Sequence, residues 1–248
     1  MSAAPCASCD DARPAMPDYR ELYATRADDY DRLIACEDVE QNVLRAIESL
    51  GGVRDLDLAD IGAGTGRLAV GLGARGARSV HALDASAAML EVAARRAMAA
   101  GVAGMKTTVA DNEHLTLASA SVDVATAGWT FGHATGFYPD AWQEHIARSV
   151  DELLRIVRPG GLVVVLETLG TGSTNAEPPR PALAAYYAWL ERERGFARVV
   201  LATDYVFPSV QEGARLVRFF FGDTLADRIE REQLSSLPER TGLWWRRA

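Results

Sequence analysis

Three aspartates, Asp60, Asp84 and Asp111, each close a short run of apolar and small residues, LDLAD, SVHALD and TTVAD. A carboxylate at a strand end is a ready acceptor for hydroxyl or amino donors. Behind Asp60 follows Ile61-Gly62-Ala63-Gly64-Thr65-Gly66-Arg67. Glycines at that point let the backbone turn sharply and approach a ligand closely. A helix starting behind them adds free N–H groups and a positive dipole end. A dinucleotide-binding turn needs Gly-x-Gly-x-x-Gly. Here the third glycine is Gly66, and Arg67 stands where that turn has glycine, which argues against a nicotinamide cofactor. Asp84 suits both hydroxyls of a ribose, and Asp111-Asn112 suits an adenine amino group and ring nitrogen. Each acid alone reads equally well as a helix cap or a solvated loop residue. Three of them at successive strand ends mark the edge where open α/β sheets bind ligands.

A second set gathers behind the next strand: Trp129, Phe131, His133, Phe137 and Tyr138, with Trp142 close by. Such aromatics suit a flat or apolar small molecule, and equally a packed loop. His133 and, after it, Glu167 are the candidate general bases, with His145 a weaker third. A lone histidine is often structural, and Glu167 could equally bond neighbouring backbone. Lys106 is the only lysine, which leaves little room for lysine catalysis. Cys6-x-x-Cys9 has no second pair to complete a zinc site, so no metal is expected.

These residues need a framework, and the chain alternates strand and helix patterns. Residues 55–63, 79–86, 105–112, 122–129 and 162–169 read as strands, the last apolar throughout. Residues 87–101 and 140–157 read as helices between them, and Arg158-Pro159-Gly160-Gly161 reads as the turn before the fifth strand. Continuous apolar strands imply helices on both faces of a mostly parallel sheet. Residues 18–50 read as two amphipathic helices. After Gly170 come a Pro-rich loop, a helix through Tyr186, Tyr187 and Trp189, a long strand ARVVLATDYVF, a helix opened by Ser209, and a last strand GLWWRR. Alternation along that strand gives Trp244 and Trp245 opposite faces.

The net charge of −8 disfavours a nucleic-acid partner, which would ask for a basic stripe. No apolar run approaches membrane length and the N-terminus lacks a signal-peptide pattern, so the expectation is a cytoplasmic protein with no membrane partner. A homodimer is compatible with the sequence.

Taken together, these motifs resemble the class I S-adenosylmethionine (SAM)-dependent methyltransferases, in particular the ubiquinone and menaquinone biosynthesis type. The resemblance runs over about residues 18–170. It rests on Asp60-x-Gly62-x-Gly64-x-Gly66, Asp84, Asp111-Asn112, Ser121-Val122-Asp123-Val124, the stretch Leu154 to Gly161, and a Tyr30-Asp31 pair. The resemblance implies SAM as cofactor and a small-molecule methyl acceptor. It assigns Gly62, Ala63 and Gly64 to the methionine part, and Asp84, Ala85 and Met89 to the ribose and adenine. Asp60, Gly66, Asp111 and Asn112 complete that set, and the backbone near Ala127 and Gly128 faces the amino group. Tyr23 and Tyr30 would close over the cofactor, although aromatics at helical spacing serve plain packing just as well. The loop carrying Trp129, Phe131, Phe137 and Tyr138 would border the acceptor.

The implied fold is α/β, a Rossmann-like doubly wound seven-stranded sheet of order 3-2-1-4-5-7-6 with the last strand antiparallel. One domain of residues 1–248 is expected. It comprises a flexible tail (1–17), an N-terminal helical lid (18–50), a SAM-binding core (51–172), and a lid helix with C-terminal strands (173–248). The implied reaction is methyl transfer to an oxygen or nitrogen of a small aromatic or apolar metabolite. A cyclase-like enzyme or a non-catalytic SAM-binding protein are the alternatives, because fold does not fix function.

Overall fold

A computed structural model of the chain describes residues 19–102 and 104–248. The expected tail, with Cys6 and Cys9, lies outside the described residues. Three helices open the chain: α1 (Tyr19–Thr25), α2 (Ala27–Ile34) and α3 (Asn42–Ser49). The alternating unit follows as β1 (Asp57–Ile61), α4 (Arg67–Gly73), β2 (Ser79–Asp84), α5 (Ala87–Ala99), β3 (Lys106–Val109) and β4 (Val122–Gly128). A 3-10 turn (Phe131–His133) leads to α6 (Ala134–Phe137), α7 (Trp142–Ile156) and β5 (Val157–Thr171). The remainder is α8 (Pro181–Arg192), β6 (Ala197–Ala202), β7 (Tyr205–Val206), α9 (Val210–Phe221), α10 (Asp223–Glu232), β8 (Ser236–Leu237) and β9 (Glu239–Arg247).

The main sheet runs β3-β2-β1-β4-β5-β9-β6. Counted by its own strands, this is 3-2-1-4-5-7-6. β9 is antiparallel to both β5 and β6. The strand period explains the two layers. Ala59, Ile61, Leu83, Ala125, Ala127, Val163 and Val165 bury into one cluster with α7, α8 and Trp244. Leu58, Val80, Ala82, Val124, Leu162, Val164 and Leu166 bury into another with α3, α4 and α5. Successive side chains on a strand point to opposite faces, so an all-apolar strand feeds both clusters. Burying each large aliphatic side chain in this way contributes about 1.5–3 kcal/mol. Trp244 is fully buried on one face, while Trp245 packs against the other cluster. A third cluster joins Leu33 and Cys36 to α9, α10 and the β7–β8 ribbon.

The departures from the sequence reading have local causes. Residues 19–34 form two helices because Arg26 leaves helical geometry (φ −128°, ψ 31°) while Thr25 Oγ1 bonds back to Glu21 O at 2.8 Å. A threonine hydroxyl bonded to the i−4 carbonyl is a known helix disturber. Strand β5 starts at Val157, directly after α7, and Arg158 to Gly161 are a bulge within it: Val122 pairs with Val157, but Val124 with Leu162. The long strand after α8 splits because Asp204 turns out of the ladder. Its Oδ1 takes the Glu239 backbone N–H at 3.0 Å and the Arg240 guanidinium at 2.6 Å. Helix α10 carries too few apolar positions to have stood out; it buries Ala226 and Ile229.

Candidate active site

The carboxyl ends of β1, β2, β4 and β5 converge, and the glycine turn sits among them. Gly62, Gly64 and Gly66 all have positive φ, at 64°, 54° and 83°. At Gly62 a Cβ would lie 2.3 Å from Thr130 Oγ1, so only glycine lets the turn nest against β4. At Gly66 a Cβ would lie 3.0 Å from Ala93 Cβ, so this third glycine serves the packing of α4 on α5. It borders neither cavity described below.

Asp60 is fully buried and holds the turn from beneath. Its Oδ2 accepts from Ala69 N at 3.0 Å and its Oδ1 from Thr126 Oγ1 at 2.7 Å. Burial pushes its carboxyl up to about 7, against those two hydrogen bonds. Asp84 caps β2 by accepting Gly64 N and Ser86 N, each at 2.8 Å. Each of its oxygens keeps a further lone pair for a ligand hydroxyl. Burial raises its carboxyl as well. Asn112 Nδ2 donates to Thr130 Oγ1 at 3.1 Å, which ties the third strand end to the fourth. Asp111 stays exposed and caps the backbone N–H of Glu113 at 2.7 Å.

Two cavities open on this edge. The smaller, about 220 Å³, is lined by Asp84, Ala85, Met89, Asp111 and Asn112 on one side and by Phe131, Phe137 and Tyr138 on the other. The larger, about 390 Å³, lies under α1, α2, α8 and α9 and reaches Asp60, Ala63, Glu167 and Thr168. They share a wall made of Tyr23, Tyr30, Gly62, Gly64, Gly128, Trp129 and His133. Ala127 is buried in the sheet and faces neither cavity. Trp142 packs edge-on against Tyr186 in the core.

The aromatic loop therefore divides. Phe131, Phe137 and Tyr138 line the smaller cavity with Asp84, Asp111 and Asn112, and of the four aromatics only Trp129 also borders the larger one. The larger cavity takes its aromatic walls from Tyr19, Tyr205, Phe220 and Phe221, and its polar end from Glu37, Arg67 and Glu239. Sequence reasoning missed these residues. Their elements are distant in the chain, and aromatic or charged residues on amphipathic helices signal nothing in particular.

His133 Nε2 lies 3.1 Å from Tyr23 OH, across the wall between the cavities. Burial, with the Arg180 charge, pushes His133 down to about 4, so its imidazole is neutral at physiological pH. Glu167 is buried and accepts Gly132 N at 2.8 Å. Burial pushes it up to about 8, against the backbone N–H donors of Gly132 and Phe131. His145 is engaged elsewhere: it meets Glu113 Oε1 at 2.5 Å and stacks on Tyr138 at 3.7 Å.

The sheet order, the glycine turn and the strand-end carboxylates define the class I methyltransferase fold. Residues 59–165 match the family described as a methyltransferase domain. The demethylmenaquinone methyltransferase of Clavibacter sepedonicus is 38% identical over 123 residues, which are 50% of this chain and 44% of that protein. The chain thus spans less than half the length of that relative. Among solved structures, a SAM-dependent methyltransferase from Aquifex aeolicus superposes with a TM-score of 0.55 at 12% identity, covering 88% of this chain and 96% of that one. The cyclase SpnF superposes with a TM-score of 0.55 at 18% identity, covering 83% and 80%. At such identities the likeness is one of fold. Among the described residues, no helix is long and apolar enough to cross a membrane.

Proposed function

We propose that the chain transfers a methyl group from SAM to an oxygen or nitrogen of a small, largely apolar metabolite. The observation that carries this reading is the shared wall. The family's glycine turn separates a nucleoside-sized cavity from a larger, mainly apolar one, so a cofactor lying along the turn presents its sulfonium end to the second cavity. The residues fit the cofactor. Asp84 has spare acceptor capacity for a ribose diol, Asp111 and Asn112 face an adenine, and Ala85, Met89 and Phe131 supply apolar contacts. Gly62, Ala63, Gly64 and the Gly128 backbone would receive the amino-acid part, with Tyr23 and Tyr30 closing over it. Bound there, the cofactor supplies an activated, electrophilic methyl group.

The chain's own contribution is placement and proton removal. Tyr19, Leu33, Ile34, Leu183 and Phe220 exclude water around the acceptor. Holding two reactants in line supplies most of the rate in such a displacement. The environments invert the order of the two candidate bases. His133 is too weak a base once its imidazole is pushed down to about 4. Glu167, pushed up to about 8 on the wall of the larger cavity, is matched to accept an acceptor's proton near neutral pH.

The test is calorimetric binding of SAM and S-adenosylhomocysteine, followed by a screen of phenols and amines for transfer of labelled methyl. Tight binding is expected, and Asp84→Ala should weaken it by on the order of 1–3 kcal/mol. Binding of NAD without SAM would sink the reading. SAM binding with turnover but no label in the product would point to the cyclase-like alternative instead.

A further inference from the structure

The larger cavity ends in a polar corner that methyl transfer itself does not need. Glu37 is buried, and its Oε2 accepts from Arg67 Nη1 at 2.7 Å and from Tyr205 OH at 3.1 Å. Glu239, brought in by β9, is buried too, and its Oε1 accepts from Thr168 Oγ1 at 2.7 Å. The other atom of each group is left over. Glu37 Oε1, Glu239 Oε2 and Arg67 Nη2 are buried without a hydrogen-bond partner. Thr171 faces the Glu239 carboxyl, but no donor meets Oε2 in hydrogen-bonding geometry. Arg67 Nη2 lies 3.9 Å from Asp38 Oδ2, beyond hydrogen-bond reach. Among the described residues four buried side-chain atoms are unpartnered in this way, and these three line one cavity. The fourth, Tyr186 OH, lines none of the cavities described above.

A buried polar atom without a partner is costly, and such atoms in a native protein call for an explanation. Three in one corner, two acceptors and one donor, describe the complement of a ligand group. The charges fix its sign. Two carboxyl groups face one guanidinium; burial raises both above their ordinary range, and the Glu37 charge adds to the rise at Glu239. The cavity's other guanidinium, Arg180, reaches instead toward Thr135, at 3.5 Å. A cation with N–H donors would supply the missing counter-charge and meet both free oxygens.

We propose that this corner binds a protonated amine carried by the methyl acceptor. The amine's N–H groups meet Glu37 Oε1 and Glu239 Oε2, and a neighbouring oxygen of the ligand meets Arg67 Nη2. The acceptor is then an amphiphile with an apolar body against Tyr19, Phe220 and Phe221 and an amino-alcohol or similar head in the corner. The inference rests on reading this cavity as the acceptor's, but binding tests it without turnover.

The probes are phenylalaninol and dihydrocinnamyl alcohol, which differ by the amine alone. Both are titrated calorimetrically at neutral pH into the full chain, with and without S-adenosylhomocysteine. Phenylalaninol should bind at least about tenfold more tightly than the alcohol. Glu239→Gln should remove that preference while S-adenosylhomocysteine still binds. Glu37→Gln is a poorer variant, because it leaves the Arg67 guanidinium buried without its counter-ion. Equal affinities, no amine binding at millimolar concentration, or a preference that survives Glu239→Gln would each overturn the proposal. Should the variant fail to fold, the ratio in the parent decides, and a ratio near one overturns it. Amine preference without any S-adenosylhomocysteine binding would uphold the corner and sink only the cofactor reading.

Discussion

Glu167, the proposed base, is a buried carboxyl whose ionised form opposes the stability of the fold. Its ionised form is disfavoured by burial and only partly compensated by the hydrogen bonds around it, so it titrates near 8. As the proposed base, its loss should be felt in turnover: Glu167→Gln is expected to lower kcat by about 10²–10⁴-fold with S-adenosylhomocysteine affinity unchanged. The parental rate should rise with pH through about 8. A kcat within a few-fold of the parent would show that positioning alone drives the reaction. The same shift governs the stability of the empty protein. A carboxyl raised from 4.5 to about 8 stabilises the fold below its unfolded value, and that contribution is lost as pH climbs through about 8. Asp60, raised to about 7, acts in the same direction. His133 acts oppositely: lowered from 6.5 to about 4, its contribution is present above 6.5 and lost as pH falls through 4. Between pH 6.5 and 8 only the raised carboxyls among these three remain in play. The melting temperature should therefore fall across that window, and Glu167→Gln should flatten the fall. An unchanged slope in the variant would show that Glu167 does not carry the shift.

At the scale of elements, the glycine turn is held by contacts on particular sides. Gly62→Ala would force a Cβ to within 2.3 Å of Thr130 Oγ1, which Asn112 fixes in place, and at a φ of 64°. Gly64→Ala bears only the conformational cost, since its nearest neighbour is Tyr30 Cε1 at 3.9 Å. Gly62→Ala should thus lose well over about 1 kcal/mol in denaturant unfolding, and clearly more than Gly64→Ala. Equal losses would mean that Thr130 gives way and that the turn is not clamped to β4. This turn was legible in the sequence because its function demands local features: glycines at fixed spacing, an acid before them, a strand behind. The strands were legible for a similar reason, since burial on both faces writes an unbroken apolar run such as Leu162–Leu166. The larger cavity was not. Tyr19, Glu37, Arg67, Phe220 and Glu239 come together only when helices from both ends of the chain cover the sheet edge. Nothing in a local pattern separates a wall residue from a packing residue. The loop after β4 makes the same point: Phe137 and Tyr138 follow β4 as expected, but they line the smaller cavity with Asp84, Asp111 and Asn112 and not the larger one.

Across the whole molecule, β9 is the strand on which the two halves depend. It pairs with β5 over Leu162 to Thr171 and with β6 over Ala197 to Ala202. Its Trp244 is fully buried, lies 4.5 Å from the Tyr187 ring, and donates Nε1–H to Glu191 at 3.0 Å. Trp244→Ala should cost about 3–5 kcal/mol, read as a shift in the denaturant midpoint. A loss below about 1 kcal/mol would mean that the layer under β9 repacks freely.

The order of synthesis adds something to this arrangement. β5 must wait for its neighbour until residues 239–247 have been made, and β6 emerges earlier with nowhere to dock. At about 5–20 residues per second, the intervening stretch after Thr171 takes on the order of several seconds to leave the ribosome. For that time the nascent chain carries an apolar strand with an open edge, the form most prone to pair with a second copy. Growth at lower temperature or with abundant holding chaperones should therefore raise the soluble yield more than any change to the finished fold.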